Sequence, residues 1–180
     1  GNGLILAPKS DANVSATLEQ GCWSDLQFVG QGGKWQAELI ANQYGQQDGQ
    51  VFDVLLDGQV QGRVEWSLTG LHNVQNGLMA IASVHHAGLS VKQAIASLCQ
   101  FQSPKRRMEL IYDKHQIQMY DDFAHHPTAI ASTLEGLRKK VGDARIIAIL
   151  EPRSNTMKMG VHKDTLGQSL ALADLAFIYQ

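Results

Sequence analysis

Tyr120-Asp121-Asp122-Phe123-Ala124-His125-His126-Pro127-Thr128-Ala129-Ile130 is a strand-to-helix crossing, and its reading decides the fold. Before it, Ile117 and Met119 alternate as on a strand. After it, Ile130, Leu134, Leu137 and Val141 recur as on one helix face. Pro127 suits a first helical turn, where its missing N–H costs nothing. Two carboxylates and two imidazoles therefore stand at the carboxyl end of a strand, where open α/β sheets bind ligands. Asp121 and Asp122 suit a ribose hydroxyl or Mg²⁺, and His125 and His126 suit a base, a ligand or a substrate contact. Adjacent strand residues point to opposite sides, so the pattern assigns one member of each pair to structure.

Downstream, Gly142 stops the helix. Ile146–Leu150 is a continuous apolar strand, as in a sheet covered on both faces. The polar run Glu151-Pro152-Arg153-Ser154-Asn155-Thr156-Met157-Lys158 follows. Arg153 and Lys158 there can clamp a carboxylate, or the run is a plain βα connection. A helix around Thr165–Ala173 and a strand Leu175–Tyr179 complete a β-α-β unit, expected to be parallel and right-handed.

Upstream, the basic turn Lys105-Arg106-Arg107 leads into strands Glu109–Tyr112 and Gln116–Tyr120. An arginine fork there can donate to ribose or phosphate oxygens, or the run is a solvated turn. Residues 1–25 give only a helix over Val14–Gln20, capped by Asp11 and closed by Gly21. Strands are expected at Trp35–Ile40, Val51–Leu56 and Val60–Trp66. Asp57-Gly58 marks a type I′ hairpin between the last two, and Asn42–Gln50 reads as an exposed loop. Val74, Leu78, Ile81 and Ala82 then mark a helix closed by Gly88. Ser90-Val91-Lys92-Gln93 is a capping box opening a second helix through Ile95, Leu98 and Cys99, which Ser103-Pro104 ends. The chain divides near residues 103–108: a β-hairpin-plus-helices part precedes the start of a Rossmann-like domain.

Gly70-Leu71-His72-Asn73-Val74-Gln75-Asn76 opens the first of those helices. Asn73 and Asn76, three apart, project from one side. A carboxamide can pair its acceptor and donor with the N6/N7 edge of adenine. The alternative makes Asn73 an N-cap and Asn76 a solvated helix residue.

The formal net charge of -2 over 180 residues argues against a nucleic-acid or membrane-surface role. No apolar run approaches the ~20 residues of a membrane span, and no signal-peptide pattern opens the chain. Cys22 and Cys99 are isolated. They read as two buried free thiols of a reducing cytosol rather than a disulfide or structural zinc site. His85-His86 and His125-His126 lack a zinc-ligand spacing. With Gly1 in place of a start methionine and Gln180 directly after a strand, the chain reads as a fragment.

Together these segments resemble the Mur ligase family, the ATP-dependent amide-bond ligases of peptidoglycan assembly. Gly70–Asn76 with Gly77-Leu78-Met79-Ala80-Ile81-Ala82 resembles the family's adenine-contacting helix start. Arg107 resembles the arginine that reaches the nucleotide across the domain junction, and Asp122 resembles the ribose-contacting aspartate that opens the C-terminal domain. Lys105–Glu109, the Asp-Asp-Phe-Ala-His-His-Pro-Thr-Ala-Ile run and Glu151–Lys158 look like one branch of the family. That branch joins the recycled tripeptide L-alanyl-γ-D-glutamyl-meso-diaminopimelate to UDP-N-acetylmuramate. The alternative branch, which joins UDP-N-acetylmuramate to L-alanine, shares His-His-Pro but usually has an aromatic, arginine-rich loop at Glu151–Lys158. A non-catalytic nucleotide-binding module is a further alternative.

The resemblance implies that residues 1–104 are the C-terminal part of the central ATP-binding domain, and 105–180 the N-terminal part of the Rossmann-like C-terminal domain. It implies ATP contacts from His72, Asn73, Asn76, Arg107 and Asp122, and tripeptide contacts from His125, His126, Arg153, Asn155 and Lys158. It also implies a bacterial cytoplasmic enzyme using ATP and Mg²⁺, with the Mg²⁺ ligands mostly elsewhere. No catalytic residue and no protein-held metal are expected within these residues. No GxxxxGK[ST] occurs in them, so the chain alone is expected to be inactive.

Overall fold

The computed structural model describes residues 3–152, 159 and 163–179. Its first unit is a mixed five-stranded sheet in the order β1 (Leu4–Pro8), β2 (Asp25–Val29), β3 (Trp35–Leu39), β4 (Val51–Leu56), β5 (Gln59–Glu65). β1, β2 and β3 run parallel, while β3, β4 and β5 run antiparallel. Between β1 and β2 lies helix α1 (Ala12–Glu19), whose Asp11 cap accepts the N–H groups of Asn13 and Val14. The Asp57-Gly58 turn has φ of 51° and 77°, the left-handed pair that a type I′ hairpin requires.

Helices α2 (Leu71–His86) and α3 (Val91–Cys99) cover this sheet. The apolar stripe Val74, Leu78, Ile81, Ala82 of α2 meets Val29, Trp35, Phe52, Val54 and Val64 from the strands. Each Val, Leu, Ile or Phe among them, once fully buried, contributes about 1.5–3 kcal/mol. The capping box forms as read: Ser90 Oγ accepts the Gln93 N–H and Gln93 Oε1 accepts the Ser90 N–H. The helix ends at Gln100, a turn before Pro104.

The second unit has its own core, built from Ile130, Leu134, Ile146 and Leu170. A hairpin of β6 (Glu109–Lys114) and β7 (Ile117–Asp121) leads into α4 (Pro127–Val141), followed by β8 (Ile147–Leu150), α5 (Lys163–Ser169) and β9 (Leu175–Ile178). β8 and β9 pair in parallel, as the β-α-β pattern predicts. His126 caps α4 and Pro127 occupies its first position. Arg138 closes the far end. It donates to the carbonyls of Gly142, Ala144 and Leu172 and to the Asp174 carboxylate at 2.7 Å.

The structure corrects several expectations. β1 has no counterpart among the strands expected from sequence. Gln116 lies in the turn, with His115, at φ of 61° and 53°, so β7 starts one residue later. α5 stops at Ser169. The thiols are free but not buried: Cys22 is half-buried and Cys99 exposed. The loop after β3 is exposed only at first, since Asp48 and Gly49 are buried. Among the described residues, Ala148 and Leu150 of β8 pack on the second core, while Ile149 is 76% exposed.

Candidate active-site cleft

The start of α2 lies opposite the crossing into α4, and between them is a cavity of about 720 Å³. One wall carries Trp66, Thr69, His72, Asn73, Asn76 and Gly77; the other carries Asp122, His126, Thr128 and Thr133. The linker residues Phe101, Ser103, Pro104, Arg107 and Met108 line it too.

On the α2 wall, Gly70 rather than Asn73 is the N-cap. Asn73 stands one turn in, where its Nδ2 donates to the Thr69 carbonyl at 2.8 Å. That bond fixes the carboxamide against the cavity. Asn76 is exposed along the same lip. Gly77 is buried and lets Trp66 approach the helix closely: a Cβ there would fall 2.8 Å from Trp66 Cη2. Trp66 cannot retreat cheaply, because its Nε1 donates to the Gly49 carbonyl at 2.8 Å and its ring meets Phe52 edge-on. Partial burial lowers the His72 pKa below 6.5, against the opposing pull of the Asp122 carboxylate. This shift favours the neutral imidazole.

On the opposite wall, Asp122 organises the backbone. Its Oδ2 accepts the Met108 N–H at 2.8 Å, and its Oδ1 accepts the Ala124 N–H at 2.8 Å and the Thr133 hydroxyl at 3.4 Å. A carboxylate has about four acceptor positions, so one is left for a ligand. Arg106 and Met108, at φ of 62° and 49°, hold the left-handed region on either side of Arg107. Strain of this kind persists only where neighbours over-determine it. Here those neighbours are Asp122 at Met108, Glu109 Oε2 on the Arg106 N–H, and the Arg106 carbonyl on the Phe123 N–H.

Each of the two pairs divides, one member at the cavity and the other turned away. Asp122 faces the cavity while Asp121 faces away, paired with Arg106 at 3.3 Å. Of the histidines, His126 lines the cavity and accepts the Thr128 N–H at 3.3 Å. His125 does not line it. It turns to the Phe123 carbonyl, with its ring edge-on to Phe123. The cleft thus gathers His72, Asn73, Asn76, Arg107, Asp122 and His126. Arg153, Asn155 and Lys158 lie outside the described residues. Sequence reasoning misses Trp66, Thr69, Phe101 and Thr133. Only Trp66, directly after a strand, carries any local signal.

Among the described residues no three His, Cys, Asp or Glu side chains gather as a metal site, and no helix is long and apolar enough to cross a membrane. No buried side-chain nitrogen or oxygen among them lacks a hydrogen bond.

A two-unit α/β chain with a largely apolar cleft at the junction, set with a few polar and charged side chains, defines a class, and comparison with known proteins names it. The family described as Mur ligase, glutamate ligase domain, matches residues 106–180, and the chain belongs to the Mur ligase family. It is 50% identical, over all of its length and 38% of that protein's, to an Escherichia coli UDP-N-acetylmuramate–L-alanyl-γ-D-glutamyl-meso-2,6-diaminoheptandioate ligase. It superposes on a murein peptide ligase from Psychrobacter arcticus with a TM-score of 0.67 and 46% identity, covering 99% of this chain and 37% of that one. Its similarity to a UDP-N-acetylmuramate–L-alanine ligase of Symbiobacterium thermophilum is lower, 37% over 67% of this chain and 24% of that protein. The chain spans less than two fifths of the length of these relatives.

Proposed function

We propose that this chain belongs to an ATP-dependent ligase that joins L-alanyl-γ-D-glutamyl-meso-diaminopimelate to UDP-N-acetylmuramate in the bacterial cytoplasm. Residues 1–104 form part of its central ATP-binding domain and residues 105–180 part of its C-terminal domain. One observation carries the reading: the cleft brings two carboxamides, an arginine and a carboxylate from both sides of the junction to one cavity. A cavity of about 720 Å³ suits a nucleoside, since small-molecule sites run from about 300 to 1,000 Å³.

The residues fit the adenosine part of ATP. Asn73 and Asn76 present carboxamides to the base, Asp122 offers its remaining acceptor position to a ribose hydroxyl, and Arg107 donates to ribose or phosphate oxygens. ATP supplies the phosphoryl group that turns the substrate carboxylate into an acyl phosphate. The tripeptide amine then attacks the acyl carbon, loses its proton to a base, and the C–O bond to phosphate breaks. His126 stands at the cleft edge, placed to contact the amine-bearing substrate, and we extend that role to Arg153, Asn155 and Lys158 but not to His125, whose ring is turned to the Phe123 carbonyl. The described residues do not build a Mg²⁺ site.

The 50% identity to the tripeptide ligase over the whole chain, against 28% over 98% of the chain to an L-alanine ligase, favours the tripeptide as amine donor. The test is a ligation assay on the full-length protein with ATP, Mg²⁺, UDP-N-acetylmuramate and either amine. Tripeptide-dependent ADP release supports the reading. Turnover with L-alanine alone replaces it with the second branch, and nucleotide binding without turnover reduces it to a binding module.

A further inference from the structure

Asn42 lies in the loop after β3, far in sequence from every residue of the cleft, yet its carboxamide is fully used. Its Oδ1 accepts the N–H groups of Tyr44 at 2.9 Å and Gln46 at 3.1 Å. Its Nδ2 donates one hydrogen to Asp48 Oδ2 and the other to the Lys139 carbonyl, both at 2.9 Å. With two N–H donors on one side and two acceptors on the other, only one amide orientation satisfies the network. The Lys139 carbonyl is one of the last in α4, which have no partner within the helix. Asn42 therefore caps the end of a helix that belongs to the other unit.

The chain of bonds continues toward the cleft. Asp48, 2% exposed, accepts the Gln50 N–H on its carboxylate, while its backbone carbonyl accepts the N–H of Gly70, the cap of α2, at 2.7 Å. Midway along α4 the helix itself reaches the same place. A Cβ on the buried Gly136 would lie 3.1 Å from Thr69 Oγ1 and 3.4 Å from the Gly70 nitrogen. Near the end of α4, the Tyr44 ring lies 3.4 Å from where a Cβ on Gly142 would stand. The helix that starts at one wall of the cleft is thus fastened, along its length and at its end, to the start of the helix forming the other wall.

We propose that Asn42 is a positioning residue: by tying α4 to the loop that carries Gly70, it sets the width of the cleft between α2 and the α4 crossing. The inference rests on the nucleotide reading of that cleft. Asn42 itself touches no ligand; it acts through Asp48, Gly70 and α4.

The experiment uses the full-length protein with two independent lesions, Asn42→Ala in the loop and Gly136→Val on the helix. Both are read by ATP titration, by steady-state KM and kcat, and by hydrogen exchange over residues 70–76 and 136–142 without nucleotide. Each variant is expected to weaken ATP binding about tenfold, the equivalent of one lost hydrogen bond. KM for ATP should rise with kcat nearly unchanged at saturation, and exchange should quicken in both segments together. A lowered melting temperature with wild-type KM and exchange confined to the mutated segment overturns the positioning role. A wild-type protein that binds no ATP overturns the nucleotide reading instead, and coupled exchange alone then shows a structural tie. If Asn42→Ala fails to fold, Gly136→Val decides between the same outcomes.

Discussion

The Asp122 carboxylate accepts the Met108 N–H at 2.8 Å, across 14 positions of sequence, and so fixes the peptide that follows Arg107. One residue at the crossing from β7 into α4 thus both lines the cleft and fixes the backbone beside the linker's arginine.

Replacing Asp122 should therefore cost more than a ligand contact. Asp122→Ala leaves the Met108 and Ala124 N–H groups without their acceptor, at about 1–3 kcal/mol for each that stays buried. Asp122→Asn retains an acceptor for one of them and should cost less. Urea unfolding checks the order of the two variants. ATP titration should show that Asp122→Ala weakens binding at least as much as Arg107→Ala does.

Gly77→Ala is predicted to destabilise although alanine favours helices. The new methyl falls 2.8 Å from Trp66 Cη2, and that ring is held by Gly49 and Phe52. Overpacking costs about 1–3 kcal/mol, against a propensity gain of about 1 kcal/mol. Thermal denaturation should show a net loss. Trp66 fluorescence should change with it.

His72 gives a pH dependence with a definite sign. Its folded pKa lies below 6.5, so between the two values the unfolded chain binds more protons and stability rises with pH. Above 6.5 the contribution is flat; as pH falls through the window it is lost. Denaturation midpoints at pH 5.5 and 7.5 should differ less in His72→Gln than in the wild type.

Asp174 works in the opposite region. The Ile146 N–H, then Arg138, holds its carboxyl below 3.8. A depressed carboxyl stabilises above its unfolded pKa, and the contribution disappears as pH falls through the folded value. Asp174→Asn should flatten the acid limb of the stability curve below pH 4. It should also quicken hydrogen exchange at Ile146, whose N–H bonds Asp174 Oδ2 at 2.7 Å.

What can be read from sequence is local. The Asp57-Gly58 turn, the Ser90–Gln93 capping box and the strand-Pro127-helix crossing each carry their signal within a few residues, and each forms. The family resemblance adds the cleft residues His72, Asn73, Asn76, Arg107 and Asp122, which the fold brings together. β1 escapes because its partner β2 is parallel and 21 residues on, with no turn to announce the pairing. Asn73 suits a cap by residue type, but the cap position falls to Gly70, and the Asn73 carboxamide bonds Thr69 instead. Adjacency in sequence groups His125 and His126 at one site. The backbone separates them, one capping α4 and the other turning back to Phe123. The Asn42–Lys139 bond joins residues 97 apart, a contact no local pattern foreshadows.

The central claim is that both units contribute to one nucleotide site. Photolabelling of the full-length protein with 8-azidoadenosine triphosphate, followed by peptide mapping, tests it directly. A shared site predicts label on peptides from both walls, residues 66–80 and residues 101–133, and competition by ATP. Label confined to one unit, or falling on peptides outside these two segments, would contradict it.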